Sequence, residues 1–194
     1  MIIPHPRFEP LTKNLSGLSL VNKIKEVSKP PRFCMISNWT ITLDDGVNIV
    51  IPQWFITDFA SVPRLFWLIP GFSPYGPLLT GSILHDFAYQ HGYLLADKES
   101  LPYPVRETDL TRAAQEIYPK LVPVFVGRDH DFFDNVMMGI VIEVTGAIFV
   151  ANTAKAMLGK FGGIAWDNYR NNGPDAYGCN SLGLPGRIDG VKNA

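Results

Sequence analysis

Prolines divide this chain before any other feature does. Pro4, Pro6, Pro10, Pro30 and Pro31 fall within the first 32 residues, and Pro63, Pro70, Pro74 and Pro77 crowd a second stretch. Each removes a backbone donor and fixes φ, so both stretches are expected to hold few regular elements. Residues 1–32 read as an extended N-terminal arm, with Leu15 to Ile24 as a short apolar piece docking on the body. Residues 58–77 read as an ordered surface loop, because Phe59, Phe66, Trp67, Phe72 and Tyr75 are interleaved with its prolines.

The segments between and after these stretches set the fold class. Phe33 to Leu43 and Val47 to Ile51 are rich in β-branched and aromatic residues, and Asp44-Asp45-Gly46 joins them with turn chemistry. A hairpin follows from that pattern. Leu79, Ile83 and Phe87 recur at helical spacing across 78–91, with Gly92 as the stop. Residues 93–104 read as loop. Residues 105–118 read as a second helix with Thr108 as N-cap, Asp109 in the first turn and Pro119 as terminator. No element stands out over 119–134. Residues 135–160 read as one long apolar helix ended by Gly159 or Gly162-Gly163, and 171–194 as a second irregular arm. The expectation is an α+β domain over 33–170, with a small antiparallel sheet packed on about three helices and an arm at each end.

Composition narrows the function classes. Of 194 residues, 46% are hydrophobic, enough for one core and too many for a disordered chain. The 17 basic and 18 acidic residues nearly cancel, so no long-range field draws the chain to nucleic acid. Lys23, Lys25 and Lys29 read as solvated surface, with a local basic patch as the alternative. The run from Val136 to Val150 is broken further on by Asn152 and Lys155 and contains Glu143. It falls short of the roughly 20 apolar residues of a spanning helix. A buried core helix is expected there, and a surface-seeking amphipathic helix is the alternative. Met1 to Pro10 carries no secretory pattern. Cys34 and Cys179 lack metal-knuckle spacing and read as free thiols, although a disulfide between them stays open.

Three pieces can carry chemistry: Thr57 to Arg64, His85 to Tyr89, and Asp109. His85 and Tyr89 are four residues apart and share a helix face. A histidine oriented by a carboxylate can act as a general base on water, and Asp109 on the next helix is the candidate orienting group. Asp86 can ligate a hard cation such as Ca²⁺, with carbonyls from the Gly71 to Gly76 loop completing an oxygen shell. The competing reading makes His85 a structural brace. A zinc site from His85, His91 or His130 with an aspartate is a further alternative, though no zinc signature is complete. Asp58 and Arg64 flank Ala-Ser-Val-Pro and read as a charge-assisted pair pinning that loop. Ser61 lacks the Gly-x-Ser-x-Gly elbow of a nucleophile.

Together, Thr57-Asp58-Phe59-Ala60-Ser61-Val62-Pro63-Arg64, His85-Asp86-x-x-Tyr89, Asp109 and Phe161-Gly162…Trp166 resemble the phage and prophage family DUF1353, over roughly residues 33–167. That resemblance implies a phage gene product. It points to a virion component of the tail, baseplate or neck, made in the bacterial cytoplasm and bound to other phage structural proteins in a larger assembly. More distantly, the His-Asp-Phe-x-Tyr helix is similar to the catalytic helix of bacterial and fungal secreted phospholipase A2. That similarity implies His85 as base, Asp86 as calcium ligand, Tyr89 as hydrogen-bond partner and Asp109 as orienting carboxylate. The disulfides and glycine-rich calcium loop of those enzymes are not recognisable here. Three functions follow as expectations: a virion component, a metal-assisted hydrolase of lipid ester or cell wall acting during phage entry or release, and a membrane-interacting protein using 135–158.

Overall fold

The computed structural model describes residues 1–13, 15–28, 31–58, 76–173 and 182–185. Among these residues, two short antiparallel sheets and five α-helices make an α+β fold, as the sequence predicts. The first sheet has the order β1-β2-β5, from β1 (Phe8–Pro10), β2 (Phe33–Met35) and β5 (Ile56–Thr57). The second has the order β3-β4-β6-β7, from β3 (Trp39–Thr42), β4 (Asn48–Ile51), β6 (Leu94–Asp97) and β7 (Leu121–Val124). The predicted hairpin is β3–β4, in register from Trp39 opposite Ile51 to Thr42 opposite Asn48. Its turn closes with Gly46 N–H donating to the Leu43 carbonyl.

Two short strands lie where the sequence offered no strand. Leu94–Asp97 falls inside the stretch read as loop, yet it is the inner strand between β4 and β7. Pairing on both sides and burial of Leu94, Leu95 and Ala96 outweigh its lack of β-branched residues. β7 carries Pro123 opposite Leu95, which is tolerated because β7 is an edge strand. The N-terminal segment also contributes elements. β1 pairs with β2, and α1 (Leu20–Ser28) forms between the prolines. The apolar residues of α1 do not dock on the body: Leu20, Val21, Ile24 and Val27 are all exposed.

The helices explain how the centre is built. α2 (Leu79–His91) is buried around nearly its whole circumference, which suits a helix enclosed by its neighbours. It packs on α4 (His130–Thr145) and α5 (Ile148–Asn172) and touches β5 and β6. α3 (Asp109–Ile117) packs on β7, and Thr108 Oγ1 caps it by accepting from Thr111 N–H. The single helix predicted over 135–160 is two helices. Gly146 breaks it at φ 65°, a left-handed conformation that ends α4. α5 then runs well past both glycine stops the sequence offered. Part of the C-terminal segment joins the core, where Leu182 and Leu184 are buried and Tyr93 Oη donates to the Pro185 carbonyl at 2.8 Å. No helix among the described residues is long and apolar enough to cross a membrane.

Candidate functional site

The site begins with spacing on α2. His85 and Tyr89 stack with ring centroids 3.9 Å apart, as residues four apart on one helix can. α4 faces them. Its N-cap Asp129 accepts from Phe132 N–H, which fixes the start of the helix and places Asp134 just over one turn in. The Asp134 side chain is only 3% exposed. Its Oδ1 lies 2.9 Å from His85 Nε2 and accepts from Tyr89 Oη at 2.8 Å. A carboxylate has no proton to give, so the imidazole must donate through Nε2–H. Nδ1 then carries the lone pair of the neutral ring. That nitrogen is covered, has no hydrogen-bond partner, and lies 3.9 Å from Asp86 Oδ1.

Asp86 is held from the other side. Thr57 Oγ1, on β5, donates to Asp86 Oδ2 through a short hydrogen bond. The start of the Thr-Asp-Phe-Ala-Ser-Val-Pro-Arg run thus meets the His-Asp helix. Asp58 is half-buried beyond β5, whereas Ser61 and Arg64 lie outside the described residues, so the Asp58–Arg64 pair does too.

α5 closes the third side. Trp166 packs edge-on against Tyr89 at 5.3 Å and lies against Phe133 at 5.7 Å. A Cβ on Gly162 would stand 2.6 Å from Tyr89 Oη, so only glycine leaves room for that hydroxyl. Arg170 stacks on Trp166 at 4.6 Å, and its Nη2 donates to the Tyr89 and Gln90 carbonyls at 2.6 and 2.9 Å. A cation therefore sits on the C-terminal carbonyls of α2, where the helix dipole favours it. The Gly…Trp piece noted in the sequence forms a wall of the site, while Phe161 points to solvent at 62% exposure.

Electrostatics follow from this enclosure. Burial lowers an imidazole pKa, but the hydrogen bond to Asp134 and the negative charges of Asp134 and Asp86 more than offset it, so His85 lies above its ordinary 6.5. Burial, reinforced by the Asp134 charge, raises the Tyr89 phenol. His91 shows the opposite case. It is fully buried between Phe87 and Tyr93, and burial, only partly opposed by the Pro185 backbone and reinforced by the nearby Arg170 charge, pushes it down to about 3.

Asp109 is not brought to His85. It stands in the first turn of α3 with its side chain 85% exposed, 3.8 Å from Arg112. The carboxylate at His85 is Asp134, which the sequence reading missed. A signal for it was present: Asp134 shares a face with Met137, Met138 and Val141, and an acid in an apolar stripe needs partners. No group of three metal-ligating side chains among the described residues includes Asp86, and the loop nominated to supply carbonyls lies almost wholly outside them. One group with ligand atoms mutually within 4.8 Å is His130, Asp131 and Asp134. An open apolar groove of about 500 Å³ runs beside β7, lined by Tyr103, Asp109, Pro123 and Phe125 among others, and none of His85, Asp86, Tyr89 or Asp134 lines it.

Residues 33–119 match a family model described as a protein of unknown function (DUF1353). The matched segment covers under half of the chain. It holds Thr57, His85, Asp86 and Tyr89, and it ends before Asp134, Gly162 and Trp166. No curated protein and no solved structure matches the chain.

Proposed function

We propose that this protein is a hydrolase with His85 as its general base, and that it serves as a component of a bacteriophage virion. One observation carries the chemistry: a single oxygen, Asp134 Oδ1, grips both the His85 ring and the Tyr89 hydroxyl and leaves Nδ1 as the basic nitrogen. In the phospholipase A2 resemblance the roles fall to His85, Asp86, Tyr89 and an orienting carboxylate. Asp134 takes the last role in place of Asp109. Nδ1 is covered in this structure, so the reaction requires a water to be admitted to it; Nδ1 then removes a proton from that water as the water oxygen bonds to an ester carbonyl carbon. The bond from that carbon to the leaving oxygen then breaks, and the imidazolium returns the proton to the departing alkoxide. Water is consumed, and an acid and an alcohol are released. Lipid ester is the substrate class this reading favours, with cell-wall material as the alternative. The proton transfer is assigned to His85 itself, and Asp86 stays the proposed ligand of a divalent cation such as Ca²⁺, which would polarise the ester carbonyl.

The virion setting is supported by the resemblance to the phage and prophage family. Tail, baseplate or neck are the proposed locations, with other phage structural proteins as partners. A second reading is favoured by the ring being only 6% exposed. In it, His85 and Asp134 brace α2 against α4 and do no chemistry. Fatty-acid release from phospholipid vesicles, run beside thermal unfolding of the same samples, separates the two. The hydrolase reading expects release by the wild-type protein and a loss of at least about 100-fold in His85→Ala with cooperative unfolding retained. A wild-type protein inert on both phospholipid and peptidoglycan, or a variant that loses only melting temperature, leaves the brace.

A further inference from the structure

We propose that α1 docks this protein on an anionic lipid surface. Leu20, Val21, Ile24 and Val27 are 73%, 73%, 60% and 58% exposed, although single exposed aliphatics are the ordinary case. At about 100° per residue these four side chains occupy one arc of about 120°. Lys23 borders one edge of that arc and Lys25 the other, while Asn22 and Glu26 lie on the opposite side. Both lysines are exposed. An apolar stripe edged by lysines is the pattern of a helix lying in a membrane interface. The aliphatic face enters the acyl boundary, and the lysine stems cover its margins while their ammoniums reach the headgroups.

Charge decides between the possible occupants. If a second copy covered this face, Lys23 and Lys25 of both copies would border the same seam and repel. A partner protein would need an apolar groove with acidic rims at matched spacing on both sides. A plane of anionic headgroups offers a counter-charge to both edges at once. The near-neutral chain makes this a local attraction at α1, without a long-range field. The inference does not depend on the hydrolase reading, because its test measures binding and not turnover.

The test is flotation of the full chain with vesicles of mixed phosphatidylglycerol and phosphatidylcholine, and with phosphatidylcholine alone. The protein is expected to float with the anionic vesicles, to bind the neutral ones far more weakly, and to release as salt is raised. Lys23→Gln with Lys25→Gln is expected to weaken binding roughly 30-fold, at about fivefold per lysine near an anionic leaflet. Val21→Gln with Ile24→Gln should also release the protein, with its melting temperature unchanged. If that pair unfolds the chain, the exposed lysine variants carry the test alone. Protein left at the bottom with anionic vesicles, or lysine variants that bind like wild type, overturns the proposal. So does a dimer in solution that the Val21 and Ile24 substitutions dissolve, since a second copy would then cover the face.

Discussion

Gly162→Ala is expected to destabilise the protein only while Tyr89 keeps its hydroxyl. The added Cβ would lie 2.6 Å from Tyr89 Oη, far inside van der Waals contact, and the next nearest atom of that ring, Cζ, would be at 3.7 Å. Moving the hydroxyl also pulls it from Asp134, where it makes a hydrogen bond to a charged acceptor, a bond worth about 1.5–3 kcal/mol. Overpacking adds about 1–3 kcal/mol. Alanine in place of glycine inside a helix returns about 0.5–1 kcal/mol. The net loss in the Tyr89 background is therefore about 2–5 kcal/mol. In Tyr89→Phe the close atom is gone, the nearest ring contact is an ordinary 3.7 Å, and the same substitution becomes neutral or stabilising by about 0.5–1 kcal/mol. Urea unfolding of the four proteins of this cycle gives a coupling of about 2–6 kcal/mol between the sites. Equal effects of Gly162→Ala in both backgrounds, within about 0.5 kcal/mol, would refute the packing argument.

Three further outcomes follow. Asp134→Asn should cost about 3–5 kcal/mol by unfolding, because it breaks a buried charged pair. His85 has a folded pKa above 6.5, so its contribution is fully present below pH 6.5 and fades as pH rises through the folded value. The gap between wild type and Asp134→Asn should thus widen from pH 8.5 toward pH 5.5, and a flat gap speaks against the His85–Asp134 pairing. Arg170→Met should cost about 2–3 kcal/mol and loosen the end of α2, read as faster amide exchange at Gly92, whose N–H closes that helix on the Ala88 carbonyl. Asp109→Ala should leave any His85-dependent hydrolysis unchanged, and a large loss would return Asp109 to the site.

The sequence was most legible where structure is local. The Asp44-Asp45-Gly46 turn, the Thr108 cap and the Gly92 stop each act within a few residues, and each lies where its chemistry places it. His85, Asp86 and Tyr89 were legible as a set because helical spacing joins them. Asp134 was not, because it meets His85 across 49 residues of chain, and Asp109, an acid on the next helix, stood closer in sequence. Gly146 was hidden because an apolar run tolerates an interior glycine, and only the backbone angle shows the break. β6 and β7 were hidden for a different reason: four-residue strands draw their stability from neighbours that the sequence does not show.

The state of the two His85 nitrogens tests the central claim most directly. Nitrogen NMR of the full chain with labelled histidine, at a pH where the ring is neutral, distinguishes the tautomers. With Asp134 accepting from Nε2–H, the spectrum should show Nε2 protonated and Nδ1 bare, and Asp134→Ala should mix the two forms. A proton on Nδ1 in the wild-type protein would contradict the arrangement and remove His85 as the base.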